Sequence, residues 1–527
     1  MARICNSDEL QLLINSTPDG EICYLEEKEY YLTKQVVIQN KKGITVDGSK
    51  ALIVSKYVNN DYYKKSVNPF LIKGCENVTL SNITMDTDVP CNITAMVEKI
   101  DFDEKSVVLK VDDSYQINGD EILMAFNSMD SEGSADYHMG YYAKHPDSSI
   151  VTLILGEILL ANTYWTAKYD YLGNNVFKVY FPSLNEKLSV GEKICIRHTM
   201  YGPSAITLSD SDDTVLKNIT MYATAGMGIV VLPKCRNLTV DGLKMVTKDG
   251  SKCLMACNCD GIHLTGLYGN FIMKNCLFDG MGDDALNVHA TAGTITEQTD
   301  TNTIRCGYCK KGPDGVLPER WCESGDLIRV YDPVSMAHTG TFRVVSFKDG
   351  ILKFDELSGT YKKGDTLQNT TFTPSLLIDN CIVRNTRARG FVIQTENVEI
   401  KNCNFFGMSS EAVKAAPDFA YWYEVGPTCN FNMHNNVIEK CGFVSNSPAI
   451  SVLTNHNTGD EKVKHLHKNV AVKDNIIKRG NGRVIWIMAT DTVSVKGNHF
   501  EHRKEKGTAP VCFVNCTEAE EKNNIDI

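Results

Sequence analysis

Glu76–Met85 has the sequence ENVTLSNITM, in which apolar and polar residues alternate between corners that contain Asn. The same pattern returns in Asp213–Met221 (DTVLKNITM) and in Arg236–Leu243 (RNLTVDGL). Alternation with a period of two predicts strands rather than helices, and Asn or Gly at the corners supplies sharply turned or left-handed backbone. Each copy therefore predicts one coil of a repeated β structure.

The coil pattern continues into the C-terminal half of the chain. Further copies begin near Asn270, Ser375, Asn397, Asn430, Asn469 and Thr492. Neighbouring copies lie roughly 22–24 or about 33 residues apart, which is typical of a solenoid. A parallel β-helix satisfies this pattern, because each coil pairs with the next and buries an inward apolar column. The predicted fold class is therefore all-β.

Two stretches interrupt the coils, from about residue 93 to 203 and from about 291 to 372. They contain strands with longer spacing, such as Val176–Phe181 and Gly325–Tyr331, which is typical of antiparallel meanders and small barrels. We predict that both are inserted, barrel-like domains and that the second walls a cleft. The predicted division is 1–92 (coils), 93–203 (first insert), 204–290 (coils with clustered Asp), 291–372 (second insert) and 373–527 (coils).

Bulk composition restricts the partners. The chain of 527 residues is 43% hydrophobic and 23% charged, as in ordinary soluble proteins, and its net charge is −11. That charge disfavours nucleic acid and strongly anionic substrates such as pectin. No apolar run is long enough for a bilayer, so no membrane partner is expected. Residues 1–6 lack a secretion signature, which predicts a cytoplasmic protein, or a secreted one if a leader has been removed; homo-oligomer formation is left open.

The 19 cysteines are interpreted mainly as buried, reduced thiols. Several occur in Asn-Cys pairs at equivalent coil positions: Asn275-Cys276, Asn380-Cys381 and Asn402-Cys403. Cys306 and Cys309, with Cys322 downstream, offer three ligands of a zinc site, but no fourth is evident. Unliganded thiols are the favoured interpretation, and we predict that the protein uses no metal or cofactor.

Acidic residues concentrate in two neighbouring coils. Asp260–Leu264 (DGIHL) and Asp284–Val288 (DALNV) share the order acid, small, apolar, polar, apolar, and Asp283 precedes the second run. Neighbouring parallel strands lie roughly 4.8 Å apart, so three carboxylates are expected to crowd one patch. Consecutive strand residues point to opposite faces, and Gly280 and Gly282 make the necessary bend before Asp283 plausible.

Aligning the coils on their small residue places two columns on one face. The first column holds Met227, Asp260, Asp284, Arg389 and Glu411. The second column holds Val230, His263, Asn287, Val392 and Lys414. The inward positions between them are Ile229, Ile262, Leu286, Phe391 and Val413. A slip of one residue in register would exchange inside and outside.

Three close carboxylates should not ionise equally, because repulsion raises the pKa of one of them. One acid and one carboxylate that polarises water are the equipment for glycoside hydrolysis. Side chains on adjacent coils can reach the roughly 6.5–9.5 Å that an inverting mechanism needs, so inversion is expected. Aromatic faces in Tyr421–Glu424 are suited to stacking on sugar rings, although a packed loop is the alternative. The candidate substrate-binding residues are His263, Asn287, His289, Arg389, Glu411, Trp422 and Glu424.

These motifs resemble glycoside hydrolase family 110. The resemblance is carried by Asp260–His263, Asn275-Cys276 and Gly282–His289, and extends through Ala225–Gly228, Thr386–Gly390, Gln394-Thr395 and Trp422–Pro427. It covers residues from about 204 to 440 well and the two inserts loosely. It implies a right-handed parallel β-helix with barrel domains, and an exo-acting, inverting hydrolase of terminal α-1,3-linked galactose on blood-group-B-type or linear glycans.

By this resemblance, Asp283 would be the general acid, while Asp260 and Asp284 would hold the attacking water. The residues alone leave the choice of acid open. A polygalacturonase-like hydrolase of family 28 is the first alternative, but the Gly-His-Gly and Arg-Ile-Lys motifs it needs are missing downstream of Asp284. A non-catalytic, glycan-binding β-helix is the second alternative.

Overall fold

The computed structural model describes most of the chain. The described residues are 5–56, 68–88, 90–113, 140–143, 153–158, 168–180, 184, 188–197, 202–308, 317–419, 422–442, 447–454, 462–481, 483–503 and 509–526. Within them the chain forms the expected parallel β-helix, with three long sheets along its length.

Each complete coil contributes one strand to each sheet, and the partial coils at the ends leave sheets of 13, 12 and 11 strands among the described residues. Sheet 1 contains Cys5–Asn6, Glu29–Leu32, Leu52–Ser55, Thr84–Thr87, Thr220–Met221, Lys244–Met245, Leu277–Asp279, Ile382–Arg384, Asn404–Phe406, Val437–Glu439, Ile476–Asn481, His499–Arg503 and Ile525–Asp526. Sheet 2 contains Ile22–Tyr24, Thr45–Asp47, Thr79–Ser81, Asp212–Lys217, Cys235–Asp241, Leu267–Lys274, Ser375–Asp379, Glu396–Lys401, Cys429–His434, His467–Lys473, Thr490–Lys496 and Thr517–Lys522. Sheet 3 contains Val36–Gln39, Phe70–Lys73, Ile206–Ser209, Ile229–Val231, Ile262–Leu264, Leu286–Val288, Phe391–Ile393, Val413–Ala415, Ile450–Val452, Ile485–Met488 and Val511–Val514.

The register of sheet 3 is the one that the column alignment predicted. Val230 pairs with His263, His263 with Asn287, Asn287 with Val392, and Val392 with Lys414. The inward residues named above are fully buried and belong to one continuous core. Apolar side chains from all three sheets thus fill the helix, and sheet 3 turns its polar columns outward.

Corner asparagines have the left-handed backbone that their positions require. Asn82 and Asn218 have φ values of 56° and 52°, and Asn218 donates to Asn82 Oδ1 at 3.2 Å across adjacent coils. A second, buried ladder inside the helix joins the amides of Asn436, Asn475 and Asn498 at 2.9 Å. Both ladders satisfy polar groups that a tight solenoid corner would otherwise leave unpaired.

The two inserts are antiparallel. The first forms a seven-stranded sheet in the order Leu153–Ile158, Gly140–Ala143, Lys193–Arg197, Asn92–Asp101, Ser106–Val111, Val176–Tyr180 and Lys168–Gly173. The second is a closed barrel in the order Gly293–Asp300, Thr303–Gly307, Ile351–Gly359, His338–Lys348, Leu327–Tyr331 and Thr366–Asn369. A separate two-stranded sheet pairs Ala290–Thr291 with Glu424–Val425.

Helices are few in the described chain. The α-helix Ser7–Ser16 begins with a capping box in which Asn6 accepts from the backbone N–H of Glu9. Two short 3₁₀ helices span Glu319–Trp321 and Thr370–Phe372. Among the residues that the structure describes, none of the helices has the length and apolar character needed to cross a bilayer.

Small residues precede the strands of sheet 3 because the coils approach closely there. A Cβ atom on Gly261 would lie 2.6 Å from the Ala285 carbonyl oxygen, and one on Gly390 would lie 2.3 Å from that of Ala412. These contacts involve backbone atoms of the next coil, so the neighbour cannot simply rotate away. In the coils that carry the aspartates and their neighbours, the small residue before the sheet 3 strand is therefore a packing requirement.

We predict that Gly261→Ala lowers the free energy of unfolding by about 1–3 kcal/mol, because the added methyl group meets the backbone of the next coil. The measurement is urea-induced unfolding followed by circular dichroism. The matched control is Ala285→Gly in the same column, which should cost less than about 1 kcal/mol. Equal stability of Gly261→Ala and wild type would contradict this account.

Candidate active site

The three acidic residues meet on the outer face of sheet 3. Asp260 and Asp284 precede the paired strands Ile262–Leu264 and Leu286–Val288, so they stand on adjacent coils. One carboxylate oxygen from each of Asp260, Asp283 and Asp284 lies within 4.8 Å of the others. The crowding predicted from the repeat is thus present.

A bend before the second coil brings Asp283 to the same face as Asp284. Gly280 has a φ of +80°, and the Gly282 N–H donates to the Cys257 carbonyl at 2.7 Å. A Cβ atom on Gly282 would lie 2.3 Å from the Asn258 carbonyl oxygen, so the bend requires glycine there. Both neighbouring aspartates can therefore reach the cluster.

Each carboxylate is held by a hydrogen-bond donor or a cation. Arg389 donates through Nε and a terminal nitrogen to the two oxygens of Asp284, both at 2.7 Å, and its backbone N–H adds a third bond at 3.1 Å. Arg387 lies 3.3 Å from Asp283 Oδ2. Asp260 Oδ2 lies 2.6 Å from His263 Nδ1, and its Oδ1 accepts from the Asp284 N–H at 3.0 Å.

Solvent exposure separates the three acids. The Asp283 side chain is 21% exposed, against 7% for Asp260 and 2% for Asp284. Because a general acid must reach the glycosidic oxygen of a substrate, Asp283 is the best placed of the three to touch a ligand that enters from solvent.

Burial sets the protonation of the other two acids. It raises the pKa of Asp284 to about 7, with Arg389 opposing the rise and the neighbouring carboxylates adding to it. Burial likewise raises the pKa of Asp260, against the stabilising hydrogen bond with His263. The expected upward shift is present, but its main cause is desolvation rather than the mutual repulsion that the sequence suggested.

A second polar cluster adjoins the acids. His263 Nε2 lies 3.0 Å from His289 Nε2, and Glu424 Oε1 lies 3.6 Å from the same His289 atom. Asn287 Nδ2 and Gln394 Nε2 lie 3.3 and 3.2 Å from Glu424 Oε2. Four of the candidate substrate-binding residues therefore lie together: His263, Asn287, His289 and Glu424. His263 and His289 are 26 residues apart in the sequence, and Glu424 lies far downstream of both.

The remaining candidates lie at two other positions. Glu411, on the coil after Arg389, is buried beside Lys414 Nζ at 3.7 Å and accepts from Ser451 at 3.3 Å. Trp422 is 45% exposed, and its backbone N–H donates to Asp418 at 3.0 Å. Glu411 therefore extends the charged column, whereas Trp422 stands on the loop that carries Glu424. Tyr421 lies outside the described residues.

Arg387, Gln394 and Lys414 were not among the predicted site residues. The signals for them were the motifs Thr386–Gly390 and Gln394-Thr395, which contain the first two, and the column alignment, which contains Lys414; none of these assigned the three residues a role. Arg389 contacts Asp284 across 105 residues because the barrel is inserted between their coils. The column alignment nevertheless placed Arg389 directly after Asp284, and the contact agrees with that alignment.

The barrel reaches the loop of Glu424. Tyr331 of the barrel packs against Phe419 with ring centroids 5.3 Å apart and ring planes tilted by 52°, and both belong to an apolar cluster with Val425 and Ala290. Trp321 donates to the Thr291 carbonyl at 2.8 Å. The second insert therefore contacts both the loop of Glu424 and the strand that follows His289; that it walls a cleft stays a prediction.

The cysteines whose side chains are described are free thiols, most of them buried. Cys306 and Cys322 belong to the barrel core, where burial raises the pKa of both and favours the protonated thiol. Cys309 lies outside the described residues, so the three-cysteine zinc site stays an untested alternative.

We predict that one aspartate titrates near pH 7 and that Asp284→Asn removes this titration. The folded protein holds the Asp284 proton more tightly than the unfolded chain does, so this carboxyl stabilises the fold below its ordinary pKa. The contribution is lost as the pH rises through about 7. Carbon-13 NMR of labelled aspartates gives the measurement, and a wild-type protein whose aspartates all titrate below about pH 5 would overturn the assignment.

The chain is similar to known proteins in sequence and in structure. Residues 365–523 match the family model described as "Right handed beta helix region". A family 28 exopolygalacturonase of Yersinia enterocolitica superposes with a TM-score of 0.42 at 12% identity, covering 100% of this chain and 78% of that one. A hyperthermoactive exopolygalacturonase of Thermotoga maritima gives a TM-score of 0.36 at 11% identity, covering 99% and 91%.

Three curated relatives are similar over most of the chain. "Alpha-1,3-galactosidase A" of Shewanella woodyi is 24% identical over 85% of this chain and 73% of its own length. "Alpha-1,3-galactosidase B" of Akkermansia muciniphila is 23% identical over 93% of this chain and 61% of its own length. The protein of the same name in Bacteroides thetaiotaomicron is 22% identical over 92% and 81%. These relatives confirm the resemblance to glycoside hydrolase family 110 that the aspartate motifs indicated.

Proposed function

We propose that this protein is a glycoside hydrolase that removes terminal α-1,3-linked galactose from an oligosaccharide, with inversion at the anomeric carbon. The observation that carries the proposal is the trio of carboxylates whose nearest oxygens lie within 4.8 Å on one outer face. The names of the curated relatives supply the sugar and the linkage. Blood-group-B-type and linear glycans are the proposed substrates.

The proposed reaction uses one acid and one held water. Asp283, the most exposed of the three acids, gives its proton to the glycosidic oxygen as the bond to the anomeric carbon breaks. A water between Asp260 and Asp284 attacks that carbon and releases its proton to this pair. The buried cations Arg387 and Arg389 offset the negative charge that three neighbouring carboxylates would otherwise accumulate.

Inversion is supported by the hydrogen bonds of the buried acids. A retaining enzyme needs a carboxylate whose oxygen is free to attack the sugar. Both oxygens of Asp284 accept from Arg389, and both oxygens of Asp260 are engaged by the Asp284 N–H and by His263. The nearest oxygens lie within 4.8 Å of one another, closer than the roughly 6.5–9.5 Å expected for inverting enzymes, so the proposal of inversion rests on the engaged oxygens and not on the carboxylate separation.

We predict that Asp283→Asn lowers kcat on p-nitrophenyl α-galactoside by at least about 100-fold, because the general acid is lost. The same loss is expected on the group B trisaccharide, and wild type should leave polygalacturonate intact. The matched control is Asp279→Asn: Asp279 has a 22% exposed side chain and is paired with Arg384 at 2.7 Å, away from the acidic trio. Full activity of Asp283→Asn, with circular dichroism unchanged, would remove Asp283 as the acid.

The stereochemical prediction is tested separately. We expect β-galactose as the first-formed product, because one displacement at the α-linked carbon inverts its configuration. Proton NMR during early turnover distinguishes the two anomers before mutarotation. If α-galactose forms first, inversion is wrong even though hydrolysis stands. If no galactoside is cleaved but galactosides still bind, a glycan-binding β-helix replaces the proposed enzyme.

A further inference from the structure

Three donor groups converge beside the acidic trio, on its sheet 3 side. One donor atom from each of His263, His289 and Glu424 lies within 4.8 Å of the other two. Their side chains are 12%, 6% and 13% exposed, so water competes weakly for them. The proposed hydrolysis uses none of these groups as acid or base, and their convergence needs its own explanation.

The proton positions on the two imidazoles leave one shared position between their Nε2 atoms. His289 Nδ1 lies 3.2 Å from the Ala290 carbonyl oxygen, which only accepts, so the His289 proton is on Nδ1 and its Nε2 is a lone pair. His263 Nδ1 lies 2.6 Å from Asp260 Oδ2 and donates to it when that acid is ionised. Burial opposes it, but Asp260 raises the pKa of His263, so without a metal ion a proton on His263 Nε2 donates to His289 Nε2 at 3.0 Å. A metal ion that displaces this proton would meet one lone pair from each ring.

The distances suit a metal ion. Zinc–nitrogen bonds of roughly 2.0–2.1 Å place the donor atoms of a tetrahedral site about 3.3–3.4 Å apart. The observed separations of 3.0 Å between the two Nε2 atoms and 3.6 Å from His289 Nε2 to Glu424 Oε1 lie on either side of that value. Histidines that bind metals usually donate their other nitrogen to a carboxylate or a backbone carbonyl. His263 and His289 have these two partners.

The surroundings of Glu424 give an independent observation. The amide nitrogens of Asn287 and Gln394 lie within hydrogen-bond distance of this carboxylate and orient it. Their own oxygens, Asn287 Oδ1 and Gln394 Oε1, are buried and have no hydrogen-bond donor within the described chain, although the two residues are only 5% and 0% exposed. A buried acceptor without a donor is costly, and a water carried by a metal ion is a donor of the kind these oxygens lack.

We propose that His263, His289 and Glu424 bind a divalent transition-metal ion. Two imidazoles and one carboxylate form the donor set of a zinc site that keeps an open position. The ion would tie the loop of Glu424 to two coils of sheet 3. This site would revise the sequence-based expectation of a metal-free protein, and it does not depend on the proposed galactosidase activity.

The acidic trio does not compete for this ion. Asp284 has both oxygens on Arg389, and Asp283 faces Arg387. A divalent cation placed there would lie beside two guanidinium groups and would be repelled by both. The trio offers only carboxylate oxygens, which suit magnesium or calcium. The imidazole nitrogens of the second cluster suit zinc better than magnesium or calcium.

The test measures metal directly. Purified protein is stripped with a chelator and dialysed, zinc is titrated by calorimetry, and the bound metal is counted by mass spectrometry. We expect about one zinc ion per chain, and His289→Gln and Glu424→Gln should each weaken binding by at least about 100-fold, more than the loss of a ligand's hydrogen-bond partner causes. The matched control is His434→Gln: His434 lies 3.2 Å from Glu399, a carboxylate that also pairs with Lys401, and its loss should leave binding unchanged.

Cobalt substitution separates this site from the thiols. Cobalt bound by His263, His289 and Glu424 should give visible d–d bands without the near-ultraviolet band of thiolate ligation, and Cys306→Ser should not alter them. This measurement on wild type also stands if a site variant fails to fold. Zinc that is retained by His289→Gln but lost in Cys306→Ser would overturn the proposal, as would a stripped wild-type protein that binds no zinc. Each outcome is independent of whether galactosides are cleaved.

Discussion

The in-register parallel pairing of successive coils is the constraint on which the site depends. Each strand of sheet 3 lies directly over the next, so His263 stacks on Asn287 and the residues that precede these strands stack as well. Because side chains alternate between faces, a slip of one residue would move both polar columns into the apolar core. The fully buried inward residues Ile262 and Leu286 oppose such a slip. Core packing thus fixes the positions of the candidate active-site side chains, although no core residue belongs to the site.

Stacking carboxylates on successive coils is electrostatically unfavourable. Basic side chains beside the acids offset this repulsion. Asp260 is paired with His263 on its own coil, while Asp284 receives Arg389 from the following one. Glu411 is paired with Lys414 on its own coil. Burial raises the pKa of Glu411, but Lys414, Ser410 and Arg389 together lower it by more, so the net shift is downward. Two acids on consecutive coils are thus followed by a cation and then by a paired acid, and the acids with a raised pKa are those for which burial exceeds the stabilisation by neighbouring groups.

Periodic features could be predicted from the sequence and non-periodic ones could not. Coil spacing and the small residue before each strand were sufficient to place Asp260 beside Asp284 and to predict which residues face inward. Arg387 was missed as a site residue because it lies two residues before Arg389, outside both aligned columns, and reaches Asp283 only through the bend before that residue. Gln394 was missed because its partner, Glu424, lies on a loop without a repeat. The cause of the Asp284 shift was misjudged, since a sequence shows how many charges are near but not how deeply they are buried.

The inserted barrel also has a consequence for the order in which the protein is made. Asp284 leaves the ribosome 105 residues before Arg389, the residue that neutralises it. At roughly 5–20 residues per second, the nascent chain carries its acidic aspartates without their guanidinium partners for about 5–20 s. During that interval the N-terminal coils end in a bare, negatively charged edge. The coil that carries Asp283 and Asp284 can therefore gain its ion pairs only after Arg387 and Arg389, which follow the barrel in sequence, have been translated.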